Sequence, residues 1–561
     1  MQRATLLAAI AIGAIAVVYA LPMQSVGCAQ TAHYAAERAI ASGSPAIDSW
    51  ADETCDAVRR GGHVYAAKGP LMDLLAAPWY IVLRTADAVP RNPNAGTRYP
   101  VAMVGVPVRA VWQIGLWAVV IPSILLLVLV RRAVERIEPG LGTACAATLG
   151  LGTLLLPFST LLFAHVLATL LLFAAFLVLF EGGPGLARTG AAGALAGLSV
   201  STDVPLAVPA AVLGVYAASR SPHGRRLLAF GAGGLLGLVP LLGFDTWAFG
   251  DPFRLAYSGT PAQGAAGGWQ QQGFFTLGSP SPRTAVELLL SQRGLFVLTP
   301  VTAAGIAGIV LLWRRRMKAE AALFAAMGVG IVAWSSGRGT RDLALGGWVP
   351  GPRFLIPLLP FLCFALAPML RRLPVTVGAL ALVSAGAMLV ATSAEPLLSN
   401  DDTHHWIARI VEGNFATTVV SLSGVGHGWI AILPFYGFAA VAIVTAVVAT
   451  PMPVNRRDVV VAVAALAAWL AVEHGAPALL EVDRLVHQSF GVAAAILLVA
   501  AAAWGIARLS RGDTLGAAPA LVLVVFAARR FDEHTKWALL VALLALAGLA
   551  LGRVRRRGIP A

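Results

Sequence analysis

Apolar residues run along this chain in long blocks that approach the roughly 20 residues needed to cross a bilayer. Polar residues are gathered into short gaps between them. The blocks are Leu-, Ala- and Val-rich without period-two alternation, which predicts helices. In hydrocarbon a helix also satisfies its own backbone. The expected spans are 4–22, 109–130, 141–157, 161–181, 189–202, 204–218, 227–246, 294–313, 319–336, 354–370, 374–393, 428–449, 458–473, 488–507, 514–528 and 537–552, about sixteen crossings at this length. The two around Asp203 are short for straight crossings. One polar stretch, Gln24 to Arg109, breaks the pattern. Within it, helical periodicity is expected at Gln30–Ala41 and Leu71–Leu83, the second with Trp79 and Tyr80 suited to the headgroup layer.

Composition fixes the solvent. At 58% hydrophobic and 12% charged over 561 residues, a water-soluble domain is excluded. The net charge of +14 does not point to nucleic acid, because the basic residues flank the apolar runs. Arg131-Arg132, Arg225-Arg226, Arg314 to Lys318, Arg371-Arg372, Arg456-Arg457, Arg508 with Arg511, and Arg553 to Arg557 are expected to face the cytoplasm. Arg529-Arg530 falls on the other side. Both termini are then cytoplasmic and loop 23–108 extracytoplasmic. The first span reads as a retained anchor rather than a cleaved signal peptide, since one more crossing brings the clusters to one side. No phosphate-cradling loop, dinucleotide fingerprint or zinc spacing is present.

Candidate chemistry gathers in the long loop. Cys28 and Cys55 are both there, and in an oxidising compartment a disulfide is expected between them, with two unpaired thiols as the alternative. Asp48, Asp52, Glu53 and Asp56 form an acidic segment. Carboxylates near a low-dielectric wall can act as general base or bind a cation, whereas a solvated turn would leave them ordinary. Lys68 precedes Gly69-Pro70 and an apolar helix, which suits an ammonium meeting a lipid phosphate or a lysine snorkelling to the interface.

Further along, His165 and Asp203 interrupt apolar segments and are costly unless they face a partner or cavity. Asp245 ends a span ahead of Asp251-Pro-Phe-Arg254. The Gly- and Gln-rich stretch from Tyr257 to Gln272 reads as a loop or lid. Arg293 and Arg353 lie on the outer side against the charge rule. Guanidinium groups there suit bidentate phosphate binding; the alternative is headgroup anchoring or pairing with Asp342. Asp401-Asp-Thr-His-His405 permits a divalent metal but equally reads as a solvated loop.

Several of these segments recur together in a known family. His63-x-Tyr65-x-x-Lys68-x-Pro70, Leu149-Gly-Leu-Gly-Thr with Pro157-Phe-Ser-Thr, Phe249-Gly-Asp-Pro-Phe253, Arg293-Gly-Leu-Phe296 and Gly346-Gly-Trp-Val-Pro-Gly-Pro-Arg353 resemble a bacterial branch of the GT-C superfamily of polyprenyl-phosphate-sugar-dependent glycosyltransferases, related to protein O-mannosyltransferases and the lipid A aminoarabinose transferase. The resemblance implies an all-α, polytopic transmembrane bundle with a large extracytoplasmic first loop bearing juxtamembrane helices. It implies a GT-C-like core over 1–373 and additional helices over 374–561. The implied activity transfers a sugar from a polyprenyl-phosphate donor to an envelope glycan, lipid or protein, at the outer face of a bacterial plasma membrane.

By resemblance Lys68 steadies the donor phosphate. Arg293 and Arg353 join it, and His63, Tyr65, Asp203, Asp245 and Trp348 are assigned to the substrate cavity. No metal ligand is assigned. The departure is at Gln30-Thr31, where GT-C enzymes commonly carry an acidic residue; an amide cannot accept the acceptor's proton. Either Asp48, Asp52, Glu53 or Asp56 supplies the base, or the protein is a non-catalytic binder or transporter of lipid-linked sugar.

Overall fold

A computed structural model of the chain describes residues 2–86, 108–182, 185–219, 222–256, 260–261, 279–338, 344–397, 404–450 and 455–480. The expected spans from 488 onward, Asp342, Asp401, Asp402 and nearly all of the 257–272 segment lie outside these residues.

The protein is an α-helical, multi-pass membrane protein. Among the described residues six helices are long and apolar enough to cross a bilayer, or up to eight if each of two bent pairs is one span. Five of the six follow expected spans closely: Arg3–Ala20, Lys318–Ser336, Arg353–Arg372, Pro374–Ala394 and Trp429–Ala449. Val108–Ile137 overruns its expected bounds. Within the described residues, several other expected spans are broken for physical reasons. Pro300, which lacks a backbone N–H and restricts Thr299 before it, breaks the expected 294–313 span into Pro282–Leu298 and Val301–Arg314 at 95°. Pro240 accompanies a 42° bend between His223–Gly237 and Val239–Phe249. The 141–157 run is interrupted at Gly152-Thr153, leaving a helix over Gly142–Leu151. Around Asp203, whose backbone is extended, Leu186–Thr202 gives way to a short 3-10 turn and then Ala207–Ala218.

Two packing features shape the interior of the bundle. The helices Leu186–Thr202 and His223–Gly237 meet backbone to backbone: a Cβ on Gly193 would lie 2.0 Å from the Phe230 carbonyl oxygen, and one on Gly233 1.9 Å from that of Gly190. Such small-residue contacts replace the hydrophobic drive that is missing between helices in lipid. This seats the Thr202–Asp203 end, where Ser201 donates to the Gly237 carbonyl at 2.8 Å. Deeper in the bundle, Phe173, Phe176, Phe324, Phe361 and Phe364 interlock with centroids 5.2 to 5.8 Å apart, mostly edge to face.

The first loop has structure of its own. Helix α1 (Gln2–Ala20) leads into strand β1 (Pro22–Met23), then α2 (Cys28–Ala41), a 3-10 turn over Asp48–Glu53, β2 (Ala57–Arg60), β3 (His63–Ala66) and α3 (Leu71–Thr85). The sequence pattern predicts α2 and α3 but not the hairpin between them. Gly61 and Gly62, at φ of 56° and 87°, supply the two left-handed positions of its tight turn. Strand β4 (Thr260–Pro261) joins β2 at its other edge, and β5 (Thr417–Thr418) pairs with β1. Cys28 and Cys55 are bonded, tying the start of α2 to the segment between the acidic turn and β2.

Candidate functional site

The turn Lys68-Gly69-Pro70 joins the hairpin to α3 and is pressed against the end of the Leu186–Thr202 helix. A Cβ on Gly69 would lie 2.5 Å from the Thr202 carbonyl oxygen, so only glycine allows this approach. The lysine that precedes it is thereby carried next to Asp203. Its ammonium forms an ion pair with Asp56, with side chains only 13% and 3% exposed. Burial pushes the Lys68 ammonium below its ordinary value; the Asp56 carboxylate opposes this, the Arg353 guanidinium adds to it, and Asp203 again opposes.

Asp203 accepts from His165 Nδ1 at 2.5 Å, both side chains being about nine-tenths buried. The imidazole packs among Phe158, Phe163 and Phe354, with centroid distances of 6.1, 5.9 and 5.6 Å. Two of those rings also hold Arg353, whose guanidinium carbon lies 5.3 Å from the Phe163 centroid and 5.1 Å from that of Phe354. Arg338 lies over Phe354 and Trp334, at 4.9 and 5.0 Å. Arg293 is buried and donates to the Gly347 carbonyl at 2.8 Å, in the turn that leads into Arg353. Gly346, at φ of 97°, leaves room for the Arg353 side chain; a Cβ there would lie 2.4 Å from Nε. Lys68, Arg353 and Arg338 thus gather near Asp56, Asp203 and the rings of Phe163, Phe354 and Trp334.

The remaining candidates lie apart from this group. Asp48 is exposed; it accepts from the Val64 N–H at 2.6 Å and pairs with His63 at 2.6 Å. Partial burial raises its carboxyl, but the hydrogen bonds from His63 and Val64 and the charges of His63 and Arg59 outweigh that and hold it low. Asp52 is exposed, while Glu53 is buried and bound by Arg38. Tyr65 packs edge-on to Phe249 at 4.8 Å and donates to the Ala248 carbonyl. Asp245 is buried near that contact, and Trp348 is half exposed. At the departure site Gln30 Oε1 accepts from the Gly27 N–H at 2.8 Å, and Thr31 donates to the Cys28 carbonyl.

Two features were not singled out from the sequence pattern. Arg338 comes after its span on the same side as Arg293 and Arg353, a signal that could have found it. The second is an acidic pocket between α2 and α3. His33 Nδ1 pairs with Asp73 at 2.7 Å, and Glu37, one turn on, is wholly buried with neither carboxylate oxygen hydrogen-bonded among the described residues. Burial, then the charge of Asp73, push the Glu37 carboxyl well above the usual range against the pull of Arg38. No group of three His, Cys, Asp or Glu among the described residues is placed to hold a metal ion.

A narrow cleft, of a size to admit about one water molecule, is lined by Tyr19, Gln24, Gln30, Trp112, Ser159 and Thr160 among others. Gln24 donates to Thr160 at 3.1 Å and to the Thr392 carbonyl at 2.9 Å, and its own carbonyl oxygen has no partner among the described residues. Leu162, another lining residue, immediately precedes the Phe163 that lies against Arg353.

No family model matches the chain, and no curated protein matches it. Among solved structures, ArnT from Cupriavidus metallidurans bound to undecaprenyl phosphate aligns with a TM-score of 0.41 at 14% identity, over 98% of this chain and 77% of that one. Its apo state gives 0.40 and 15% over the same shares. The apo form of the Archaeoglobus fulgidus oligosaccharyltransferase gives 0.36 and 11%, over 87% of this chain and 59% of that one. At this degree of superposition the likeness by itself assigns neither a fold family nor an activity.

Proposed function

We propose that this protein is a GT-C-type membrane glycosyltransferase, taking a sugar from a polyprenyl-phosphate donor at the extracytoplasmic face of a bacterial plasma membrane and passing it to an envelope glycan, lipid or protein. One observation carries the reading: Lys68 and Arg353, far apart in sequence, lie within each other's electrostatic reach, Arg353 over a pair of aromatic rings and Lys68 held below its ordinary proton affinity. A buried ammonium next to a guanidinium is relieved by an anion, and a phosphate on a lipid is the anion a membrane supplies. Arg293 supports the Gly347 turn behind Arg353, and the aromatic walls suit the apolar part of a sugar or isoprenoid.

The chemistry is displacement at the anomeric carbon. The acceptor oxygen bonds to that carbon while the bond to the phosphate oxygen breaks, and the cations take up charge on the leaving phosphate. Any divalent metal requirement would have to be met outside a ready-made protein cage among the described residues.

A second reading, a binder or carrier of lipid-linked sugar without transfer, is favoured by Gln30 and Thr31, which are spent on helix-end hydrogen bonds. The test is transfer of radiolabel from purified polyprenyl-phosphate sugars to envelope extract, with Asp48, Asp52, Glu53 and Asp56 each changed to the amide. Turnover by wild type is expected. Binding of undecaprenyl phosphate without turnover of any donor would instead establish the carrier.

A further inference from the structure

Resting on the transferase reading, we propose that His165 is the proton acceptor of the reaction and that Asp203 is the residue that positions it. Four observations converge on this pair. First, the loop carboxylates are otherwise engaged: Glu53 and Asp56 are ion-paired with Arg38 and Lys68, and Asp48 and Asp52 lie exposed on the 3-10 turn. A carboxylate closed on a buried cation is not presented to an acceptor hydroxyl. Second, Gln30 carries an amide, which cannot take up the proton, and its oxygen is spent on the Gly27 N–H.

Third, the geometry is that of an oriented base. Asp203 takes the Nδ1 side of the imidazole at 2.5 Å, which fixes the tautomer with the lone pair on Nε2, and Nε2 makes no hydrogen bond among the described residues. Three aromatic contacts lock the ring. Fourth, the imidazole shares Phe163 and Phe354 with Arg353, so the proton acceptor and the anion-holding cation flank the same rings. Asp203 offsets the charge that the imidazolium gains, and Arg353 and Lys68, the other charges facing it, are offset in turn by the leaving phosphate.

The step balances without a further reactant. The acceptor hydroxyl oxygen forms a bond to the anomeric carbon as the bond from that carbon to the phosphate oxygen breaks. The electron pair leaves with the polyprenyl phosphate, held by Lys68 and Arg353. The hydroxyl proton passes to His165 Nε2 and is released to water after product leaves.

The experiment measures radiolabel transfer and undecaprenyl phosphate binding on full-length wild type, His165→Gln, His165→Ala with and without added imidazole, and Asp203→Asn. Expected is a loss of transfer of about 100-fold or more in His165→Gln, undecaprenyl phosphate binding within twofold of wild type, and partial recovery of His165→Ala by imidazole. The acid limb of the rate profile is expected to vanish in His165→Gln and to move in Asp203→Asn. Transfer by His165→Gln at half the wild-type rate or better overturns the proposal and leaves the transferase reading intact. Loss of binding together with transfer, with no imidazole rescue, also overturns it, assigning His165 to the walls of the site. Wild type that binds undecaprenyl phosphate but transfers from no donor overturns both.

Discussion

The acidic pocket between α2 and α3 and the cationic cluster beneath the Lys68 turn are built around the same kind of pair and lie close together, yet they differ in what is added to it. Each holds a buried histidine on a buried aspartate, at 2.7 Å for His33–Asp73 and 2.5 Å for His165–Asp203. The first adds Glu37, an extra acid with nothing bonded to its carboxylate among the described residues, and burial drives that group toward its neutral form. The second adds Lys68 on Asp56, and Arg353 and Arg338 on aromatic faces, and guanidinium groups cannot shed their charge. A buried acid can settle by holding a proton, whereas a guanidinium keeps its charge. Under the proposed function it is therefore the second cluster that meets the phosphate.

The largest effect that would break this contrast comes from Lys68→Ala. It removes the ammonium and strands Asp56, so undecaprenyl phosphate affinity is expected to fall about 100-fold or more, as for truncation of a buried, hydrogen-bonded charge pair. Isothermal titration in nanodiscs measures it, and an unchanged affinity would put the anion elsewhere. Next is Gly69→Ala, whose new Cβ meets the Thr202 carbonyl oxygen. The turn must shift, at about 1 to 3 kcal/mol for overpacking. Both melting temperature and affinity are expected to drop although no charge is altered.

The smallest effect sharpens the acidic side. Glu37 binds its proton more tightly folded than unfolded, so from about 4.3, the ordinary glutamate value, up to its folded value the native state holds more protons and stability falls as pH rises. Asp73, His33 and Arg38 are the charged groups around it. Glu37→Leu is expected to flatten that slope and to stabilise by about 1 kcal/mol near neutral pH. Melting curves between pH 5 and 8 would show it, and a slope identical to wild type would mean that Glu37 ionises as it does in the unfolded chain.

Much of the scaffold was legible in the sequence because bilayer thickness imposes length and apolarity on each span, and both are written in consecutive residues. Its breaks were less so. Pro300 and Pro240 mark where expected spans bend, but a proline inside an apolar run does not reveal how far the chain turns. The Gly61-Gly62 turn was present in the sequence, yet strands β2 and β3 are only four residues each, too short for alternation to announce them. Lys68, Arg293 and Arg353 could be singled out because each violates a rule: a cation before Gly-Pro, or arginine on the outer side. Arg338 violates the same rule. Glu37 and His33 carry no comparable mark, since an amphipathic helix gives no sign of which polar residues a second helix will cover. That Asp56 rather than Asp48 meets Lys68 depends on the fold of the hairpin, which sequence spacing does not contain.

The most direct test of the central claim is structure determination in lipid nanodiscs with undecaprenyl phosphate. The phosphate is expected within hydrogen-bond distance of the Lys68 ammonium and the Arg353 guanidinium, with the first isoprene units leading away along the aromatic walls. A phosphate bound outside that cluster, with Lys68 still closed on Asp56, would contradict it.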